Sequence, residues 1–264
     1  MQLGNGEQIT TVIPIRQFEV DRYLLMATRR GIVKKTELNA YGHPRAGGII
    51  AITLDEGDEL IAVRLTKGDD EVLLGTKQGM AIRFKEDEVR SAGRAARGVK
   101  GISLEAGDEV VGAEVVAQDA AVLTVTERGY GKRTDPQEYR LQSRGGKGII
   151  NIRVTDRNGP AVGVMLVQSG DQIMMISQEG RITRMRVDEI SLIGRATQEC
   201  GCRGLELSDR VAAVTRLVSD DEGDGEAEGP PSLPEPEAGA EPARRGLSDA
   251  GGRAIVTPLL LRPR

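Results

Sequence analysis

Asp55-Glu56-Gly57-Asp58-Glu59-Leu60-Ile61 returns as Glu105-Ala106-Gly107-Asp108-Glu109-Val110-Val111, and in a looser form as Asn5-Gly6-Glu7-Gln8-Ile9. Downstream of each copy come an apolar strand, a turn glycine and a second strand bearing a cation. The turns are Arg30-Gly31, Gln78-Gly79, Arg128-Gly129 and Glu179-Gly180, and four residues after each glycine stand Lys35, Arg83, Arg133 and Arg184. A Gly-rich loop opened by arginine follows: Arg45-Ala46-Gly47-Gly48, Arg94-Ala95-Ala96-Arg97-Gly98, Arg144-Gly145-Gly146-Lys147-Gly148 and Arg195-Ala196-Thr197-Gln198. Three landmarks kept in order through four units, at a period of about 50 residues, define a repeat architecture.

Local content selects the kind of repeat. Val72 to Thr76 and Met80 to Phe84 flank an x-Gly turn, where glycine supplies the positive φ of a tight hairpin. No segment sustains a helical period between caps. The chain holds 34 glycines and only six Phe, Tyr and Trp together, a composition of short strands and turns. The expected fold is all-β, a radial, propeller-like array of four-stranded antiparallel blades. The units run about 1–54, 55–104, 105–154 and 155–207, with a closing strand at 209–217, so residues 1–218 form one domain. Residues 219–264 read as a disordered tail, because Asp220 to Glu241 hold nine acidic residues and no Lys or Arg.

The formal charge of −4 misleads for the same reason. From Val218 onward there are ten acidic and five basic residues, so the repeats themselves are near neutral. Any polyanion-binding face must come from how charge is distributed. Cys200, Cys202 and His43 fall short of the four ligands of a zinc site. Met1 to Ile13 lack a basic segment followed by an apolar one, and no apolar run approaches the roughly 20 residues of a membrane span. A cytoplasmic protein without membrane partners is expected.

Catalytic constellations are missing from the pattern. One histidine has no nucleophile beside it, and Gly129-Tyr130-Gly131 lacks the strand-to-helix setting of a dinucleotide loop. In Gly145-Gly146-Lys147-Gly148 the lysine is not followed by Ser or Thr, so a nucleotide-binding loop is not expected. The recurrent cations point elsewhere. Lys35, Arg83, Arg133 and Arg184 should fall at matching places on one rim, enlarged by Lys34, Lys132 and Arg186. The Gly-rich loops add Arg45, Arg94, Arg97, Lys100, Arg144, Lys147 and Arg195, with glycine letting backbone N–H groups approach a phosphate. The six aromatic residues are not interleaved with these cations, as stacking on single strands would need. The reading is a non-catalytic binder of duplex DNA through its phosphates.

The units resemble the C-terminal β-pinwheel domain of the gyrase A protein family, the DNA-wrapping part of DNA gyrase, from about Gly4 to Leu217. The likeness is carried by Ala27-Thr28-Arg29-Arg30-Gly31-Ile32-Val33-Lys34-Lys35-Thr36, Gly129-Tyr130-Gly131-Lys132-Arg133-Thr134, Asn158-Gly159-Pro160-Ala161-Val162-Gly163, Asp171-Gln172-Ile173-Met174-Met175-Ile176 and Glu189-Ile190-Ser191-Leu192-Ile193-Gly194-Arg195. Gln142-Ser143-Arg144-Gly145-Gly146-Lys147-Gly148 matches the family's gyrase A box except at Ser143, where a cation is usual. The family carries that box in its first blade, whereas this copy is in the third unit. The resemblance therefore implies a fragment lacking the first blade, with the main box upstream of Met1. Glu199-Cys200-Gly201-Cys202 departs from the Gly-then-aliphatic pattern of the other loops.

What the resemblance implies is DNA wrapping in support of negative supercoiling by a type II topoisomerase. Its catalytic core and the gyrase B protein, assembled as A2B2 on the bacterial nucleoid, would use ATP and Mg2+ elsewhere; this chain would need no cofactor or metal. The topoisomerase IV domain, which captures distant segments, and a propeller-like protein-binding scaffold stand as alternatives. The acidic tail is expected to compete with DNA for the cations. Truncation after Leu217 should tighten duplex binding at low salt in a gel shift, and unchanged affinity would count against competition.

Overall fold

The computed structural model describes residues 9–15, 17–43, 48–197, 200–201 and 209–217, the pair 200–201 as backbone only. Arg45, Glu199, Cys202 and the acidic tail lie outside the described residues. Strands follow one another as β1 (Tyr23–Thr28), β2 (Ile32–Glu37), β3 (Leu60–Thr66), β4 (Glu71–Thr76) and β5 (Met80–Lys85). Next come β6 (Val99–Lys100), β7 (Val110–Val115), β8 (Ala120–Thr126), β9 (Tyr130–Thr134) and β10 (Ile149–Ile150). The last are β11 (Ala161–Gln168), β12 (Gln172–Ser177), β13 (Ile182–Arg186), β14 (Cys200–Gly201) and β15 (Val211–Leu217). Four 3-10 turns, Leu38–Tyr41, Glu86–Glu88, Pro136–Glu138 and Val187–Glu189, follow the hairpins. The described residues contain no α-helix.

Each hairpin closes in the same way. The N–H of Gly31, Gly79, Gly129 or Gly180 donates to the carbonyl of Thr28, Thr76, Thr126 or Ser177, and each glycine has positive φ. That is a three-residue loop with its left-handed position filled by glycine. The acidic landmark of the sequence has a structural role here. The Asp58 carboxylate accepts N–H bonds from Arg30 in the first turn and from Glu59, and Asp108 does the same for Gln78 and Glu109. Asp209 repeats the clamp on Glu179 and Arg210.

The sheets are ordered β3-β1-β2-β6, β7-β4-β5-β10, β11-β8-β9-β14 and β15-β12-β13. All described pairings are antiparallel. A sheet is therefore not a sequence repeat. Its inner strand comes from the next unit, and its last, two-residue strand from the loop after the following hairpin. Val99 pairs with Val33 in this way, and Ile149 with Ala81.

Both faces of the first three sheets are covered, which explains their near-continuous apolar runs, whereas the fourth leaves much of β13 and β15 exposed. Leu25, Ala27 and Val33 of the first sheet pack with Val72, Leu74, Ile82 and Phe84 of the second. Leu73 and Ala81 meet Val122, Val164 and Leu166 of the third, and Leu123, Val125 and Val167 meet Ile173, Met175 and Val211 of the fourth. Inner strands pack in succession, β3 on β7, β7 on β11 and β11 on β15. The approach is close: a Cβ on Gly112 would lie 2.0 Å from the Val164 carbonyl oxygen. With β3, β7, β11 and β15 on the inside, β6, β10 and β14 occupy the outer edge.

Gly148 turns the chain into β10 at φ +76°, and a Cβ there would lie 2.4 Å from the Ala81 carbonyl oxygen. Gly148→Ala should therefore lower stability by about 1–3 kcal/mol through backbone strain and loss of β10. A urea melt checks this as a lower midpoint at unchanged slope.

Candidate nucleic-acid interface

The hairpin cations do not line a solvent-facing rim. Lys35 is buried, and its Nζ donates to the carbonyls of Gly68 and Glu86 at 3.2 and 3.3 Å and lies 3.9 Å from the Glu86 carboxylate. Arg83 is buried as well, donating to the carbonyls of Pro136 and Tyr139 at 2.8 and 3.3 Å while its Nε bonds Glu71. Arg133 donates to the Ile190 carbonyl at 2.7 Å and faces Asp188 at 3.5 Å, its side chain 16% exposed. In all three, the cation ends on the 3-10 turn of the next unit. For the buried Lys35 and Arg83, carbonyls and a carboxylate meet the donors, so these two are structural and the expected DNA contact is corrected; Arg133 makes the same joint while half-buried.

Lys34 and Lys132 are corrected on the same ground. Lys34 is 1% exposed and donates to the carbonyls of Ala51 and Arg94; Lys132 is fully buried and donates to those of Asn151 and Gly194. Each thereby fastens the next Gly-rich loop to the hairpin. Burial, with the Arg94 guanidinium nearby, pulls Lys34 down to about 8. Of the hairpin set, only Arg184 and Arg186 are exposed, on β13, where Arg184 binds Gln172 and Arg186 faces Asp188 at 3.7 Å.

The Gly-rich loops do sit along the outer edge. Parallel bridges Lys35 to Ser91, Arg83 to Leu141 and Arg133 to Leu192 start each loop beside the preceding hairpin. Arg97, Lys100 and Lys147 are exposed, whereas Arg94, Gln142, Arg144, Gly145, Gly146, Gly148 and Arg195 are half-buried. Arg144 donates from its guanidinium to the carbonyls of Glu88 and Lys100, and Arg195 to that of Ile150 at 2.9 Å. The N–H groups expected to cradle phosphate are partly engaged already. That of Arg144 bonds the Glu88 carboxylate and that of Gly145 the Gly101 carbonyl.

Two exposed arginines escape the sequence reading. Arg90 and Arg140 follow the 3-10 turns at matching positions in successive units, and no ion pair holds either among the described residues. Their signal is present, since they stand four residues before Arg94 and Arg144 in sequence. With Arg97, Lys100, Lys147, Arg184 and Arg186 they put seven exposed cations on the outer strands and loops. The buried aromatics serve the core: Tyr139 donates to Asn151 at 2.6 Å and Tyr41 to the Ala51 carbonyl.

These blades, each completed by strands from later units and edged by Gly-rich loops, define a propeller-type repeat domain. The model of the DNA gyrase C-terminal domain, beta-propeller, matches residues 22–67, 70–117, 120–168 and 171–198, and the chain belongs to that family. It is 55% identical over 223 residues to the DNA gyrase A protein of Halalkalibacterium halodurans, covering 84% of this chain and 27% of that one. Against the gyrase A protein of Klebsiella oxytoca the identity is 44% over 224 residues, or 84% and 26% of the two chains. The chain thus spans about a quarter of the length of these relatives. A solved DNA gyrase A C-terminal domain superposes with TM-score 0.74 at 26% identity, over 83% of this chain and 73% of the other. A topoisomerase IV C-terminal domain gives 0.73 at 31%, over 78% and 64%.

The Lys34 shift makes stability depend on pH. Between about 8 and its ordinary 10.5 the unfolded chain holds a proton that the folded chain has released. Unfolding free energy therefore gains an upward term as pH rises through that window. Lys34→Met should abolish this term: the difference between wild-type and variant stability, from melts at pH 8 and pH 10, should shift by the end of the range. Parallel curves would refute it.

Proposed function

We propose that this domain wraps duplex DNA along its outer edge as the non-catalytic portion of a gyrase-type topoisomerase. The observation that carries the reading is the recurrence of exposed cations at matching places, Arg90 with Arg140 and Arg97 with Lys147, joined by the exposed Lys100, Arg184 and Arg186. Successive blades turn that edge into a curved track. Bending 20–30 base pairs by 40–90° costs on the order of 1–6 kcal/mol, which several phosphate contacts offset. The buried hairpin cations act indirectly by fixing blade to blade and loop to blade. Strand cleavage, ATP and Mg2+ belong to a core beyond these repeats, with the gyrase B protein for partner in an A2B2 enzyme on the bacterial nucleoid.

Segment capture, as in a topoisomerase IV-type domain, is the second reading, supported by the superposition on such a domain. Ligating nicked plasmid with the protein bound separates the two. Wrapping traps supercoils of one sign in proportion to bound protein, and capture traps none. In a salt series on a duplex of about 150 base pairs, chosen at the persistence length, Arg90→Gln/Arg140→Gln should lower affinity. The slope of log affinity against log salt should fall by about 0.9 per lost phosphate contact. A protein-binding scaffold would show no shift at any salt.

A further inference from the structure

Two exposed cations of the Gly-rich loops, Arg97 and Lys147, already hold anions. Lys147 lies 2.7 Å from the Glu105 carboxylate, their side chains 77% and 71% exposed. Arg97, at 62% exposure, is paired with Asp55. Asp55 and Glu105 open the two copies of the acidic landmark, so the same pairing occurs at the same place in successive units. Loop amides behave alike: the Arg144 N–H meets the Glu88 carboxylate at 3.0 Å, and the Arg195 N–H approaches that of Glu138 at 3.5 Å.

We propose that Asp55 and Glu105 mark two phosphate subsites, each occupied by its carboxylate in the free protein and by a DNA phosphodiester in the complex. A carboxylate and a phosphodiester offer the same ligand to Arg97 or Lys147, an oxygen pair carrying one negative charge. Exposed pairs of this kind are weak, so exchange is easy in both directions. The contrast with Arg64 and Glu114 is informative. That pair joins β3 to β7 through two bonds of 2.9 and 2.7 Å with Glu114 only 17% exposed, and holds the inner strands together. Mutual pairing lowers Glu105 and raises Lys147 from their ordinary values, so both stay charged at neutral pH. The exchange rests on the wrapping reading and adds to it a built-in competitor, separate from the acidic tail.

The full chain carrying Asp55→Asn and Glu105→Gln, titrated on the same duplex, tests this. A control with Glu56→Gln and Asp87→Asn removes equal charge from exposed acids without an ion pair among the described residues. The first variant should bind about 2- to 25-fold tighter than wild type, from two pairs each worth up to roughly a fivefold change. The control should gain less. Lys147→Gln should also weaken binding more in the Glu105→Gln background than alone, because the lysine is then free for phosphate. Equal affinity of the two charge variants, or no such coupling, would overturn the exchange while leaving wrapping intact. No binding by wild type at low salt would overturn both.

Discussion

The array depends on a cation leaving its own hairpin and ending on the backbone of the next unit. Lys35, Arg83 and Arg133 each cross to the carbonyls of the following 3-10 turn, each with a carboxylate close by as well. A charge taken out of water persists only if its donors are met, so each blade is acceptable only beside its correctly placed neighbour. Apolar faces alone would tolerate sliding between sheets, because hydrophobic packing has no direction. The directional bonds fix the register, and the Gly-rich loops inherit it through Lys34 and Lys132. Arg184, with no later unit among the described residues, bonds within its own sheet.

Much of this is legible from residues. The period, the x-Gly turns and the absence of helical patterning lead to antiparallel blades because hairpin chemistry is local. Strand exchange is not legible. β6, β10 and β14 are two residues long, too short for any periodicity, and their partners lie more than one hairpin upstream. Burial of the cations leaves a faint trace. Lys34-Lys35 and Lys132-Arg133 are adjacent, and adjacent strand residues point to opposite faces. In a sheet covered on both sides, neither face offers open water.

The exposed set is visible in the sequence except for Arg90 and Arg140, for a related reason. Arg94, Arg144 and Arg195 draw attention by opening each loop, yet loop openings are where the chain is anchored, and Arg144 and Arg195 spend bonds on neighbouring carbonyls. Arg90 and Arg140 sit just before the anchor and reach solvent. A recurring cation in a repeat protein thus has two physical explanations. It can join units, since every unit needs the same joint, or it can face a periodic ligand, since every unit meets the same phosphate. Sequence spacing is identical in the two cases; burial separates them.

That separation resolves the near-neutral charge of the repeats. Part of the positive charge is cancelled inside by Glu71 and Glu86, and part at the edge by Asp55 and Glu105. Interior cancellation is permanent, because exposing either partner alone would leave a buried charge unmatched. At the edge, cancellation is reversible, since water and salt compete with each pair. A polyanion supplies many phosphates at fixed spacing and can displace several weak carboxylates together, gaining counterion release at each contact. On the wrapping proposed above, such a surface would hold a bent duplex strongly when the whole track is engaged and weakly when one blade is. Curvature of the DNA would then follow from the array's own geometry, which the buried cations have already set.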